Sequence, residues 1–94
     1  VNRALELKAT FKGRVQGVGF RATARRLAMN LRLTGSATNL PSGDVELLLQ
    51  GDRETLDLFL KKIGALFQNE IDSLETVFYP PKKIFARFEI IYTK

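Results

Sequence analysis

Between residues 5 and 31 the hydrophobic period changes once, and the change falls on a short run containing two glycines. Leu5, Leu7, Ala9 and Phe11 alternate with Glu6, Lys8, Thr10 and Lys12, the period of a strand buried on one face only. From Phe20 onward Phe20, Ala24, Leu27, Ala28 and Leu31 recur at helical spacing, which predicts a helix reaching about Leu31 and presenting one stripe to the sheet. The junction reads Gly13-Arg14-Val15-Gln16-Gly17-Val18-Gly19-Phe20-Arg21. A half-exposed strand feeding an amphipathic helix points to helices stacked on one face of an open-faced sheet.

The rest of the chain extends that pattern. Residues 33–39 read as a strand, Pro41-Ser42-Gly43-Asp44 as a tight turn and residues 45–50 as the returning strand of a hairpin. Gly51 ends the hairpin, Asp52 suits an N-cap, and Leu56, Phe59, Leu60, Ile63 and Leu66 mark a second amphipathic helix. Residues 72–78 and 85–92 read as strands separated by Tyr79-Pro80-Pro81-Lys82-Lys83. The order β-α-β-β-α-β plus a terminal strand predicts an α+β, ferredoxin-like sandwich: an antiparallel sheet with two helices on one face, one domain over residues 1–94. A crossover through the first helix makes the first two strands parallel, and the hairpin inserts the third between them. The glycine loop and Asn39, at the ends of those parallel strands, are therefore expected to be neighbours.

Ninety-four residues suffice for one modest core. The chain has neither Cys nor His, which removes thiolate nucleophiles, disulfides, the commonest metal ligand and the usual near-neutral base. No apolar run approaches the roughly 20 residues that cross a bilayer, and no signal-peptide core opens the chain, so a soluble cytoplasmic protein, expected to be a monomer, is the default reading. Residues 1–32 hold eight basic side chains (Arg3, Lys8, Lys12, Arg14, Arg21, Arg25, Arg26, Arg32) against Glu6 alone, a net +7, whereas the remainder holds seven basic against nine acidic, a net −2. The positive field centres on the glycine loop and favours an anionic partner, either a small phosphorylated ligand or a nucleic acid backbone.

Glycines at 17 and 19 permit positive φ and close approach of a ligand to main chain, and the helix start beyond them directs unpaired N–H groups outward. Arg21, in the first helical turn, opposes the macrodipole, a penalty that a bound phosphate would reverse. The same glycines could simply make a strand-to-helix turn, with Arg21 solvated; Asn39 before Pro-Ser-Gly is likewise ordinary turn chemistry. The neighbouring charge and the expected position of Asn39 favour the anion. Arg25 and Arg26 read as a solvated helix face, and Phe20 as core. The run Gly17–Ala22 also fits the dinucleotide pattern, but the first strand alternates, the second enters a hairpin, and Asn39 stands where an acid for the ribose would be needed. The Walker pattern fails, because no Gly-Lys-Ser/Thr follows.

Gly13-Arg14-Val15-Gln16-Gly17-Val18-Gly19-Phe20-Arg21 closely resembles the signature loop of the acylphosphatases, and Asn39-Leu40-Pro41-Ser42-Gly43-Asp44-Val45-Glu46 resembles their second motif. The resemblance extends through Ala28, Gly51 and Phe88-Glu89-Ile90-Ile91-Tyr92. It implies a small hydrolase that cleaves acyl phosphates to a carboxylate and inorganic phosphate with no metal and no cofactor, phosphate being both product and competing ligand. By the same resemblance the main-chain N–H groups of Gln16, Gly17, Val18, Gly19 and Phe20, together with the Arg21 guanidinium, hold phosphate, and Asn39 positions the attacking water. The chain departs from the family at Gly35-Ser36-Ala37-Thr38-Asn39, where a large aromatic and a basic residue are usual, and at Ala24, where threonine is frequent. Neither departure touches Arg21 or Asn39.

The residue inventory permits this chemistry. A carboxylate leaving group has a pKa near 4, so its departure needs little help from a general acid. The chief alternative is a ferredoxin-like module, catalytically degenerate, that binds phosphate or nucleic acid. Against nucleic acid, the outer face of the first strand offers Glu6, Lys8, Thr10 and Lys12 where an RNA-binding sheet needs aromatic stacking residues. No membrane partner is expected.

Overall fold

The computed structural model describes residues 4–92; Arg3, counted above in the basic cluster, lies outside them. The described elements run β1 (Leu5–Gly13), α1 (Phe20–Asn30), β2 (Thr34–Asn39), β3 (Val45–Gly51), α2 (Arg53–Leu66), β4 (Ile71–Tyr79) and β5 (Phe88–Ile91). The strands form one sheet in the order β4-β1-β3-β2-β5. β1 and β2 both pair antiparallel with β3, through Ala9↔Leu47 and Ala37↔Leu47 among others, and so run parallel to each other as the crossover requires.

One face of the sheet carries Leu7, Ala9, Phe11, Ala37, Leu47 and Leu49, all fully buried, and meets Ala24 and Ala28 of α1 and Leu56, Phe59 and Ile63 of α2. The small alanines let α1 lie close to the sheet. α2 starts at Asp52, whose carboxylate accepts the Thr55 N–H at 2.8 Å; this bond holds the Asp52 carboxyl below its ordinary pKa of 3.8. Leu66, assigned by spacing to the buried stripe, is instead 61% exposed, because α2 ends there and turns away through Phe67. Among the described residues no helix is long and apolar enough to cross a membrane.

Three further expectations need correction. The sheet is mixed and not purely antiparallel, since β5 pairs parallel with β2 (Gly35↔Phe88 to Thr38↔Ile91). β5 also begins at Phe88 instead of residue 85. The Gln50 side chain takes the preceding segment, donating to the Lys83 carbonyl and accepting the Phe85 N–H at 3.0 Å, so these residues are fastened by a side chain and not by a ladder. The third correction follows from the same Gln50 side chain. Glu6, expected on a solvated face, is only 7% exposed, receiving Gln50 Nε2 at 2.8 Å and the Tyr79 hydroxyl at 2.6 Å from its two cross-strand neighbours.

Candidate active site

Because β1, β2 and β5 point the same way, their C-terminal ends and the N-terminus of α1 converge on one edge of the sheet. The loop from Arg14 to Gly19 crosses this edge. It is anchored below by Val15, 1% exposed, and by the Arg14 N–H donating to the Glu70 carbonyl at 2.8 Å. Gly17 and Gly19 have φ of 77° and 78°, in the left-handed region, and a Cβ added to either would meet nothing within 4 Å beyond its chain neighbours. The glycines thus serve backbone conformation and leave the space above the loop open. Gly19 is the N-cap of α1 and provides no side-chain cap; the first turn has no acidic residue. Among the described residues the amides from Gln16 to Phe20 donate no hydrogen bond within the protein, so a concave row of donors ends at a helix N-terminus, an arrangement suited to an anion.

A cavity of about 170 Å³ sits against this row, lined by Gly17, Gly19, Arg21, Asn39, Ile90 and Tyr92 together with Val15, Phe20 and Ala22. The sequence expectation that the loop and Asn39 are neighbours is met. Arg21 is half-buried, its guanidinium carbon lies 5.2 Å from the centroid of the Tyr92 ring, and among the described residues no carboxylate pairs with it. Its donors remain available to an anion. Asn39 Oδ1 is buried and meets no hydrogen-bond donor among the described residues, a state that costs about 1–3 kcal/mol unless a donor enters from the cavity. Among the described residues no acidic side chain lines the cavity, and no group of three or more acidic side chains is placed to hold a metal ion.

The remaining site candidates divide. Phe20 is 1% exposed and packs against Phe11 and Phe67 with its ring tilted to both, centroids at 4.9 and 4.8 Å, fixing the start of α1 from beneath. The Val18 side chain is 43% exposed and does not line the cavity. Nor does the Gln16 side chain, which turns toward the hairpin and donates Nε2 to the carbonyls of Leu40 and Asp44, both at 2.9 Å. It ties the glycine loop to the turn that follows Asn39, a role not anticipated from sequence. Ile90 and Tyr92 were missed as well; the signal was available in the terminal strand, whose end reaches this edge once it pairs parallel with β2.

The model of the family described as Acylphosphatase matches residues 7–90. An acylphosphatase of Lactobacillus johnsonii is 39% identical over 82 residues, covering 85% of this chain and 90% of the relative. One of Lactobacillus gasseri is 35% identical over 92 residues, covering 96% and 99%. The crystal structure of acylphosphatase from Bacillus subtilis superposes with a TM-score of 0.85 at 28% identity, covering 94% of this chain and 99% of that one. With the fold, the loop and the family model in agreement over most of its length, the chain belongs to the acylphosphatase family.

Proposed function

We propose that this chain, as one domain acting as a cytoplasmic monomer, hydrolyses the carboxyl–phosphate bond of acyl phosphates. The amides of Gln16, Gly17, Val18, Gly19 and Phe20 and the Arg21 guanidinium hold the phosphoryl group, and Asn39 positions water. The observation that carries the reading is the meeting of Arg21, the glycine loop and an Asn39 Oδ1 that has no donor among the described residues, around one small cavity. A single copy supplies every one of these groups, which supports the monomer as the working unit.

In this reading the water donates a hydrogen bond to Asn39 Oδ1 and presents its lone pair to phosphorus. As the P–O bond forms, the bond from phosphorus to the acyl oxygen breaks and the electron pair leaves on the carboxylate. Charge on the equatorial oxygens is met by amides and guanidinium that are already oriented, so stabilisation requires no reorganisation. A carboxamide is too weak a base to take the water's proton, and the cavity has no acidic side chain; the proton passes to a phosphate oxygen. Asp44, the nearest acid in the second motif, contributes its carbonyl to Gln16 and is not among the cavity residues.

The test is hydrolysis of benzoyl phosphate in EDTA, with inorganic phosphate as competitor. Turnover that is unaffected by EDTA and inhibited competitively by phosphate is expected. A folded protein that binds phosphate but does not turn over the substrate would instead make this a binding module, and a strong loss of rate on Asp44→Asn would replace the substrate by a protein base.

A further inference from the structure

The cavity at the glycine loop shares a wall with a second one. Ala22 of α1 and Ile90 of β5 border both it and an adjoining groove of about 410 Å³, whose other lining residues are Arg25, Arg26, Met29 and Asn30. Another depression on α1, between Thr23 and Phe67, shares no residue with the cavity at the glycine loop. A substrate whose phosphoryl group lies on the glycine loop can therefore extend its acyl portion along α1 beside Ile90.

The charges along that path are unusual. α1 carries three arginines and no acidic residue. Arg25 and Arg26 are exposed, and among the described residues neither lies within ion-pair distance of a carboxylate. Arg21 and Arg25 stand at the i, i+4 spacing, where like charges repel. Two anionic groups on one ligand, separated by about one helical turn of 5.4 Å, would satisfy Arg21 at one end and the Arg25–Arg26 pair at the other. Between these ends Ala22 and Ile90, which border both cavities, supply an apolar flank suited to a short methylene chain.

We infer that this groove is the acyl subsite, and that Arg25 and Arg26 select acyl phosphates whose acyl portion ends in a second anionic group, a carboxylate or a phosphate, about one helical turn from the transferred phosphorus. The inference rests on the acyl phosphate reading above and names the substrate class within it. Arg25 and Arg26 are specificity residues; the reacting atoms remain with the glycine loop, Arg21 and Asn39.

Calorimetric titration with two stable phosphonates tests it without requiring turnover. Carboxypropylphosphonate carries the second anion, and butylphosphonate, of similar length, ends in a methyl group. The native chain at low salt is expected to bind the first about tenfold more tightly, a preference reduced to within about twofold in the double variant Arg25→Gln/Arg26→Gln. Both side chains are exposed, so circular dichroism should report an unchanged fold. Equal affinity of the two phosphonates in the native chain, or a double variant that weakens both equally, would overturn the subsite and leave only a diffuse positive field. Failure of the native chain to bind either phosphonate would overturn the phosphate-binding reading itself, and the subsite with it.

Discussion

Arg21 and Asn39 line one cavity but offer it opposite chemistry, a fixed cation and a neutral acceptor, and single substitutions should separate them. If Arg21 holds the phosphoryl group as proposed, Arg21→Ala removes charge-assisted bonds worth about 1.5–3 kcal/mol to a bound phosphate. Inhibition by phosphate should weaken roughly 10–100-fold and kcat/KM for benzoyl phosphate fall by at least as much. Asn39→Ala leaves that cation in place, so kcat should drop by about 10²–10³ while the inhibition constant for phosphate stays within about threefold. Equal losses of binding and turnover in both variants would undo the division of roles. Gln16 tests a third function, because its amide and its side chain act in different places. Gln16→Ala keeps the main-chain N–H and deletes both bonds to the hairpin turn. Stability should fall by about 1–2 kcal/mol, and kcat should fall more than phosphate affinity, since the loop loses its link to the turn next to Asn39. An unchanged kcat would make this link a purely structural one.

At the level of elements, β2 is held against β3 at a distance only glycine allows. Gly35 has φ of 146°, and a Cβ there would lie 1.7 Å from the Leu48 carbonyl oxygen. Gly35→Ala must push apart two central strands, and a cost of at least about 3 kcal/mol in chemical denaturation is expected; because Asn39 ends the same strand, activity should fall even where the protein remains folded. The large aromatic usual after this glycine is replaced by Ser36, which is buried all the same, at 2% exposure, so the altered strand remains covered. Most of this architecture was legible because periodicity and crossover geometry are local rules: a period-two strand, a period-3.6 helix and a hairpin place Asn39 beside the glycine loop without knowledge of any distant contact. What was not legible depends on pairing across the chain. The place of β5 beside β2, which brings Ile90 and Tyr92 to the cavity, is a tertiary choice, and the shortening of β5 comes from Gln50 reaching residues 33 and 35 positions away. Gln16 has no periodic neighbour to mark its partners in the hairpin turn, 24 and 28 positions away.

Across the whole molecule the same long-range logic closes the sheet on the side away from the helices. Tyr79 at the end of β4, Glu6 in β1 and Gln50 in β3 lie side by side across three strands, and Gln50 continues the chain of bonds to the segment leading into β5. Four separate parts of the chain are thereby joined through one buried carboxylate whose donors are both neutral. The phenol bears the consequence: burial, and then the Glu6 carboxylate that accepts its hydrogen bond, push the Tyr79 pKa up to about 12, against about 10 in an unfolded chain. The folded state holds this proton more tightly than the unfolded state. The contribution of the network is therefore fully present below about pH 10 and is lost as pH rises through about 12. Denaturation midpoints should consequently decline between about pH 10 and pH 12 in a way that Tyr79→Phe abolishes, while at neutral pH that variant should be less stable by about 1–2 kcal/mol, because Glu6 Oε2 loses its donor. The chain has two tyrosines, so phenolate absorbance in Tyr92→Phe reports Tyr79 alone. Titration near 12 is expected; titration near 10 would mean that the phenol is not held by Glu6 in solution, and the network would then make no alkaline contribution to the loss of stability.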